Sequence, residues 1–413
     1  MSVMTLPPAV SAVMRELEKN GYEVYLVGGC VRDALSGKTP HDFDMTTDAT
    51  PEEMLRVFRT WRVIETGIAH GTVTILSHGV PVEVTTYRLD GAYSDHRHPD
   101  KVLYTADLLE DLSRRDFTVN AMAWHPGLGL TDAFGGLQDL EEGVIRCVGD
   151  AFKRFDEDAL RIVRALRFAA QLDFTIAPET EDAIFALHKM LDAISVERIY
   201  AEFTKLLLGK AAARVLLEHE TILSSMIPAL QKADPEALHH ALLAIRESVP
   251  DSGIRWSLLL SSLRKTGISP ADVFTALHAD RAIAQEVTLF LSMLDAPLPK
   301  DDPSLLRLMR PFAQDSLWTR YLSLRRAVFL EEKDYSAAGQ LNRIAVRGGE
   351  LRSAGCCLTV RDLDVNGNDL KKAGLSGPAI GTALQSALDA VTDGIIVNEH
   401  DAIVAFIDTL SKN

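Results

Sequence analysis

The chain has 413 residues, 47% of them hydrophobic, a formal net charge of −15 and four cysteines. That is enough apolar material for a core and enough length for about two to four domains, which excludes a largely disordered chain. No run of about 18 apolar residues marks a membrane span, and the start MSVMTLPPAV lacks the regions of a secretion signal. The acidic balance argues against indiscriminate nucleic-acid binding but leaves room for a local basic surface that takes one structured RNA. Cys30, Cys147, Cys356 and Cys357 have neither metal-site nor disulfide-framework spacing, which fits a reducing cytoplasm.

Residues 4–20 have the spacing of a short amphipathic helix. Val24 to Val27 reads as a buried strand, broken at Gly28 and Gly29, where a glycine pair permits a tight turn and close approach of a ligand. Val31 to Leu35 then suits a short helix whose unpaired N–H groups would favour a phosphate. Asp42-Phe43-Asp44 follows. On a strand, positions i and i+2 share a face, which predicts two carboxylates side by side. Such a pair repels itself unless a cation neutralises it, and Mg²⁺, a hard ion with oxygen ligands, suits it. D-x-D alone is also an ordinary surface turn; behind a glycine turn it is what metal-assisted nucleotidyl transfer requires.

Between Thr47 and Phe58, Asp48 is a candidate N-cap, and Pro51 and Glu52 suit a first helical turn. Residues 63–76 and 81–88 alternate as a hairpin turning at Ser77-His78-Gly79, and Glu83 on its second strand either joins Asp42 and Asp44 or faces solvent. Asp90 to Val102 is polar and turn-rich and reads as a mobile loop; its His96 and His98 fit solvent better than a metal. Arg114-Arg115-Asp116 reads as the start of an amphipathic helix burying Phe117, Ala121 and Met122, with arginine available to a triphosphate. Residues 132–143 read as a turn and short helix.

Residues 156–173 form the second informative stretch. Ala159, Ile162, Val163, Leu166 and Ala170 share one side of a helix, with Arg161, Arg164 and Arg167 opposite and Asp158 bordering Arg161. Three arginines without interleaved glutamates repel one another, which suits an anionic ligand. Cytosine and adenine both present an amino donor beside a ring-nitrogen acceptor, whereas guanine and uracil present the reverse. A carboxylate beside a guanidinium therefore accepts C and A and rejects G and U. From about residue 175 the pattern is helical to the end. In the tail, Gly377 and Pro378 precede a helix, and Lys371 and Lys372 add local positive charge for an RNA phosphate.

GGCVRD followed by HDFDMTT resembles the head signature of the class II tRNA nucleotidyltransferase and bacterial poly(A) polymerase superfamily, and RRDFTVNAMA, EDALRIVRALRFA and the tail string NGNDLKKAGLSGPAIGTALQSALDAV resemble its further motifs. The resemblance spans nearly the whole chain and is most specific over residues 21–170, where it points to the CCA-adding enzymes. It implies an α+β head with a small mixed β-sheet (1–145), then an all-α neck (146–205), body (206–280) and tRNA-binding tail (281–413). It implies two-metal, template-independent addition of C, C and A to tRNA from CTP and ATP. Asp42 and Asp44 would hold Mg²⁺ with Glu83 as a third catalytic carboxylate. Gly29, Arg32, Arg115, Asp158, Arg161, Arg164 and Arg167 would contact the nucleotide, and Lys371, Lys372 and Gly377 the RNA. An A-adding tRNA enzyme and a poly(A) polymerase share the motifs, although EDALR lacks the proline usual in the latter and CC-adding relatives usually lack the 90–102 loop. A non-catalytic RNA-binding protein is the alternative of a different class. IRWSLLLSSLRK resembles a helix that carries a His-Asp metal pair in phosphohydrolase domains of some relatives; Ser261-Ser262 stand in its place, so no second metal site is expected.

Overall fold

The computed structural model describes residues 4–40, 42–90, 102–372 and 374–410. The chain forms two compact units, residues 1–231 and 232–413.

The first unit opens with α1 (Pro8–Lys19), β1 (Val24–Val27), α2 (Gly29–Leu35), β2 (Asp44–Thr47), α3 (Pro51–Val57), β3 (Arg62–Ile64), β4 (Thr72–Ser77) and β5 (Val80–Thr86). A short ribbon, β6 (Arg88–Asp90) with β7 (Val102–Tyr104), leads to α4 (Leu108–Ser113), β8 (Ala123–His125) and β9 (Gly129–Thr131). The main sheet has the order β3-β4-β5-β2-β1-β8-β9. Only β2 and β5 run parallel within it; its other neighbours are antiparallel. The 77–80 turn forms as expected, with His78 and Gly79 both at positive φ, the geometry that matches the twist of a tight hairpin.

One face of this sheet is the core of the head. Leu26, Met45, Val73, Ile75, Val82 and Val84 bury there against Val13 and Leu17 of α1 and Met54 of α3. Strand alternation sends Glu83, between buried Val82 and Val84, and Asp44, before buried Met45, to the other face, where both are exposed. Near them, α4 covers part of that face through Leu112 against Val27 and Ala123.

Three local expectations are corrected. Thr50, not Asp48, caps α3 in a reciprocal box with Glu53, a feature worth about 1 kcal/mol; Asp48 instead accepts the Glu23 N–H at 2.7 Å. Residues 114–122 do not begin a helix. Arg114 closes α4, Phe117 is extended (φ −130°), and 118–120 form a single 3₁₀ turn. The apolar residues read as a helix face, Phe117, Ala121 and Met122, are fully buried, but on a chain that turns to enter β8. Residues 156–173 are not one helix either. After α5 (Gly136–Glu142), α6 (Ala151–Glu157) stops at Asp158 (φ −144°), and α7 (Leu160–Leu172) starts afresh. Asp158 accepts the Leu160 N–H at 3.0 Å, so it caps the second helix from outside. Helices α8 (Pro178–Leu187) and α9 (Val196–Leu207) follow; α9 packs along α7, whose residues are buried on nearly every side, and α8 packs on α6.

The second unit is helical from Pro235–Arg246 to His400–Leu410. Phe290, Phe312, Trp318 and Tyr321 form one aromatic cluster in it, with the Tyr321 hydroxyl donating to the Met293 carbonyl at 2.8 Å. The Ser261 and Ser262 hydroxyls donate to the carbonyls of Leu258 and Leu259.

Candidate active site

The β2–β5 register places Asp44 directly opposite Glu83, while the antiparallel β1–β2 register places it opposite Val27, the last residue before the glycine turn. Asp42 lies in the irregular segment before β2, not on the strand, so the alternation argument reaches Asp44 alone. The Asp44 carboxyl is nevertheless raised by burial first, then by the negative charge of Glu83, with Asp42 adding to it and Arg115 opposing. Asp44 still keeps solvent access. Cys30, buried at the start of α2, has its Sγ 3.2 Å from the Val27 carbonyl and 3.9 Å from that of Asp44, tying the turn to the carboxylate strand. Among the described residues, no three or more His, Cys, Asp or Glu side chains are gathered as a ready metal site.

Gly28 has φ 73°, a conformation glycine adopts without strain, and a Cβ there would stand 3.5 Å from Nη1 of Arg115. Arg32, one turn on, donates from Nη1 to Asn120 Oδ1 at 2.7 Å and from Nη2 to Asp33 at 2.8 Å. Arg115 donates to Asp111 at 3.2 Å, while its buried Nε has no hydrogen-bond partner. Arg114 grips the same Asp111 through two bonds, at 3.0 and 2.6 Å. Burial alone would raise the Asp111 carboxyl, but Arg115 and Arg114 hold it below the usual range. Asp111 and Asn120 are organising residues that the sequence reading missed; the signal was an acid three and four positions before the Arg114-Arg115 pair.

On α7 the expected unpaired basic face is not found. Arg161 and Arg167 are 8% and 9% exposed, and each arginine meets a carboxylate from outside its own row. Arg161 donates to Glu157 at 2.9 Å and to the carbonyls of Arg154 and Arg114. Arg164 donates to Asp116 from Nε at 2.9 Å and from Nη2. Arg167 lies 2.9 Å from Glu202 of α9. Repulsion between them is therefore offset in part within the protein, by acids brought from other segments, while Arg164 still acts against the charge on Arg167. Asp158 accepts from Arg198 of α9 at 3.0 Å, another partner that the sequence reading missed because it lies 40 residues away. Asp116 is buried and would be raised by that alone, yet Arg164 brings its carboxyl down to about 2.

In the second unit, Lys371 and Lys372 are exposed at the end of a short helix, with Lys372 3.8 Å from Asp369. Gly377, at φ 56°, precedes the helix Pro378–Thr392. His96, His98 and nearly all of the expected 90–102 loop lie outside the described residues.

Residues 24–146 match the family model described as Poly A polymerase head domain. Residues 173–234 match the family model described as "Probable RNA and SrmB- binding site of polymerase A", and 248–407 the one described as "tRNA nucleotidyltransferase domain 2 putative". The chain is 37% identical to a CCA-adding enzyme of Lactiplantibacillus plantarum, over 96% of this chain and 95% of that one. It is 35% identical to one of Leuconostoc mesenteroides, over 95% and 94%. The solved structure of the Bacillus stearothermophilus CCA-adding enzyme in complex with CTP superposes with a TM-score of 0.80 at 31% identity, covering 98% of each chain. The Thermotoga maritima CCA-adding enzyme complexed with tRNA-CCA, at 20% identity and TM-score 0.64, shares the fold. With the glycine turn, the Asp44–Glu83 register and the arginine-lined helix in one compact unit, and relatives matched over nearly their whole length, the chain belongs to the CCA-adding enzymes, a family of tRNA nucleotidyltransferases.

Proposed function

We propose that the protein adds C, C and A in turn to the 3′ end of tRNA, taking CTP and ATP and releasing pyrophosphate. The observation that carries this reading is the register that sets Asp44 beside Glu83 and next to the end of β1, where the glycine turn brings Arg115 close to the backbone. Asp42 and Asp44 are the carboxylates that would hold Mg²⁺, an ion that commonly takes one or two protein carboxylates and shares substrate phosphates. The upward push on Asp44 by Glu83 and Asp42 fits a site with negative charge to be neutralised. Bound there in a two-metal arrangement, the ions would lower the pKa of the tRNA 3′-hydroxyl and offset charge on the departing pyrophosphate.

The chain's own residues orient the reactants. Arg115, with a buried N–H that meets no protein acceptor, and Arg32 take the triphosphate at Gly28–Gly29, presenting its α-phosphate to the 3′-hydroxyl. Asp158, held by Arg198, accepts from the amino group of C or A, and Arg161, fixed by Glu157 and two carbonyls, donates to the ring nitrogen. Arg164 and Arg167 continue the basic row toward the phosphates. Lys371, Lys372 and the N–H groups after Gly377 take tRNA phosphates. Four free cysteines suit work in the cytoplasm.

Labelled CTP and ATP, supplied separately and together to tRNA lacking three, two or one of its terminal nucleotides, test the reading. Each acceptor should be completed to CCA and no further. Incorporation of A alone would reassign the chain to A addition, long A tails to poly(A) synthesis, and no incorporation to RNA binding.

A further inference from the structure

Phe168 on α7 is 8% exposed and lies within the EDALRIVRALRFA string, where the sequence reading gave it no role of its own. Three guanidinium carbons surround its ring: that of Arg167 at 4.0 Å from the centroid, and those of Arg164 and Arg32 at 5.4 Å each. Two of these arginines are on α7, but Arg32 comes from α2, just behind the glycine turn. The ring is itself fixed by Phe117, fully buried and edge-on at 5.7 Å. A second bridge joins the same elements. Arg32 donates to Asn120, Asn120 to Asp116, and Asp116 accepts from Arg164.

Three cations around one ring repel one another. Burial first, and then Arg164, push Arg167 down to about 10, with Arg32 contributing in the same direction. Glu202 lies within ion-pair distance of Arg167, but Nε and Oε2 are not aligned as a hydrogen bond. An aliphatic side chain would fill the same space and leave this repulsion to spread the guanidiniums. An aromatic face carries negative charge density and attracts them.

We infer that Phe168 is a positioning residue of the nucleotide site, its ring holding Arg32 of the phosphate turn and Arg164 and Arg167 of the base-reading helix in one cationic cluster. The inference rests on the nucleotidyl-transfer reading above. That reading stands or falls on wild-type incorporation of C and A, which is measured first, so the two can fail separately.

The test replaces Phe168 with mono-, di- and trifluorophenylalanine, which keep the shape of the ring while draining charge from its face. Phe168→Leu and Phe168→Tyr accompany the series. KM for CTP and ATP should rise stepwise with fluorination, reaching ~tenfold in Phe168→Leu with kcat within about twofold, and return close to wild type in Phe168→Tyr. Equilibrium CTP binding to the same proteins should weaken in parallel. A flat fluorination series would overturn the inference whether or not the leucine variant folds, because packing alone is indifferent to the ring's charge. A fall in kcat at unchanged KM and CTP affinity would overturn it as well.

Discussion

Asp116→Asn isolates the charge that holds α7 to the segment after α4. The asparagine keeps the shape and an acceptor for the Phe117 N–H, but it leaves Arg164 without its carboxylate. In the native protein that carboxyl sits at about 2 against an ordinary 3.8, burial being outweighed by Arg164. A depression of nearly two pKa units corresponds to about 2–3 kcal/mol of stability at neutral pH. The sign follows from the lowered folded-state value: the contribution is fully present above pH ~4 and fades as pH falls toward ~2. Urea unfolding of protein labelled with 5-fluorotryptophan reads it, since Trp61 and Trp124 report the first unit and Trp256 and Trp318 the second. The variant should lose about 2–3 kcal/mol in the Trp61 and Trp124 transition at pH 7, with the gap narrowing between pH 4 and pH 3. A gap below about 0.5 kcal/mol at pH 7, or one independent of pH, would show that the Arg164–Asp116 pair does not secure this helix.

Asp42→Ala or Asp44→Ala should abolish transfer while leaving tRNA affinity within about twofold, as filter binding and incorporation together would show; wild-type turnover in either would remove the pair from the chemistry. Because burial and then Glu83 raise the Asp44 carboxyl in the metal-free protein, its titration there, followed by carboxylate-carbon NMR, should lie above the ordinary carboxylate range and move to lower pH in Glu83→Gln; an unmoved titration would mean that Glu83 does not act on Asp44. Asp158→Ala and Arg161→Ala should relax discrimination of C and A against U and G by roughly tenfold or more, consistent with about 1–3 kcal/mol for a lost bond to a buried polar edge. Competition between nucleotides measures it, and full selectivity at reduced rate would contradict the base-edge model.

What the sequence made legible follows from what is local. The strand at 24–27, the turn at Gly28 and the hairpin closing at Gly79 rest on short-range period and turn chemistry, whereas Glu83 was left open between joining the aspartates and facing solvent because the β2–β5 pairing that sets it beside Asp44 is long-range. The failures were tertiary. The apolar spacing of 117–122 mimics a helix, but burial on a turning chain gives the same spacing. The break at Asp158 was hidden because the apolar pattern of α6 runs on into α7, and only the backbone shows the interruption. Above all, the row Arg161, Arg164 and Arg167 looked unbalanced because two of its acids lie far off in sequence, Asp116 before it and Glu202 after it. Glu157 was close at hand and, read as part of a motif, was not counted as a partner. A helical wheel cannot display partners contributed by other elements.

The central claim is that one acidic and arginine-lined site completes a CCA end without a template. The most direct test supplies all four nucleoside triphosphates together to tRNA lacking its last three nucleotides and sequences the 3′ ends of the product. The account predicts ends that read CCA and stop. Ends carrying U or G at these positions, runs of A, or unchanged acceptors would contradict it.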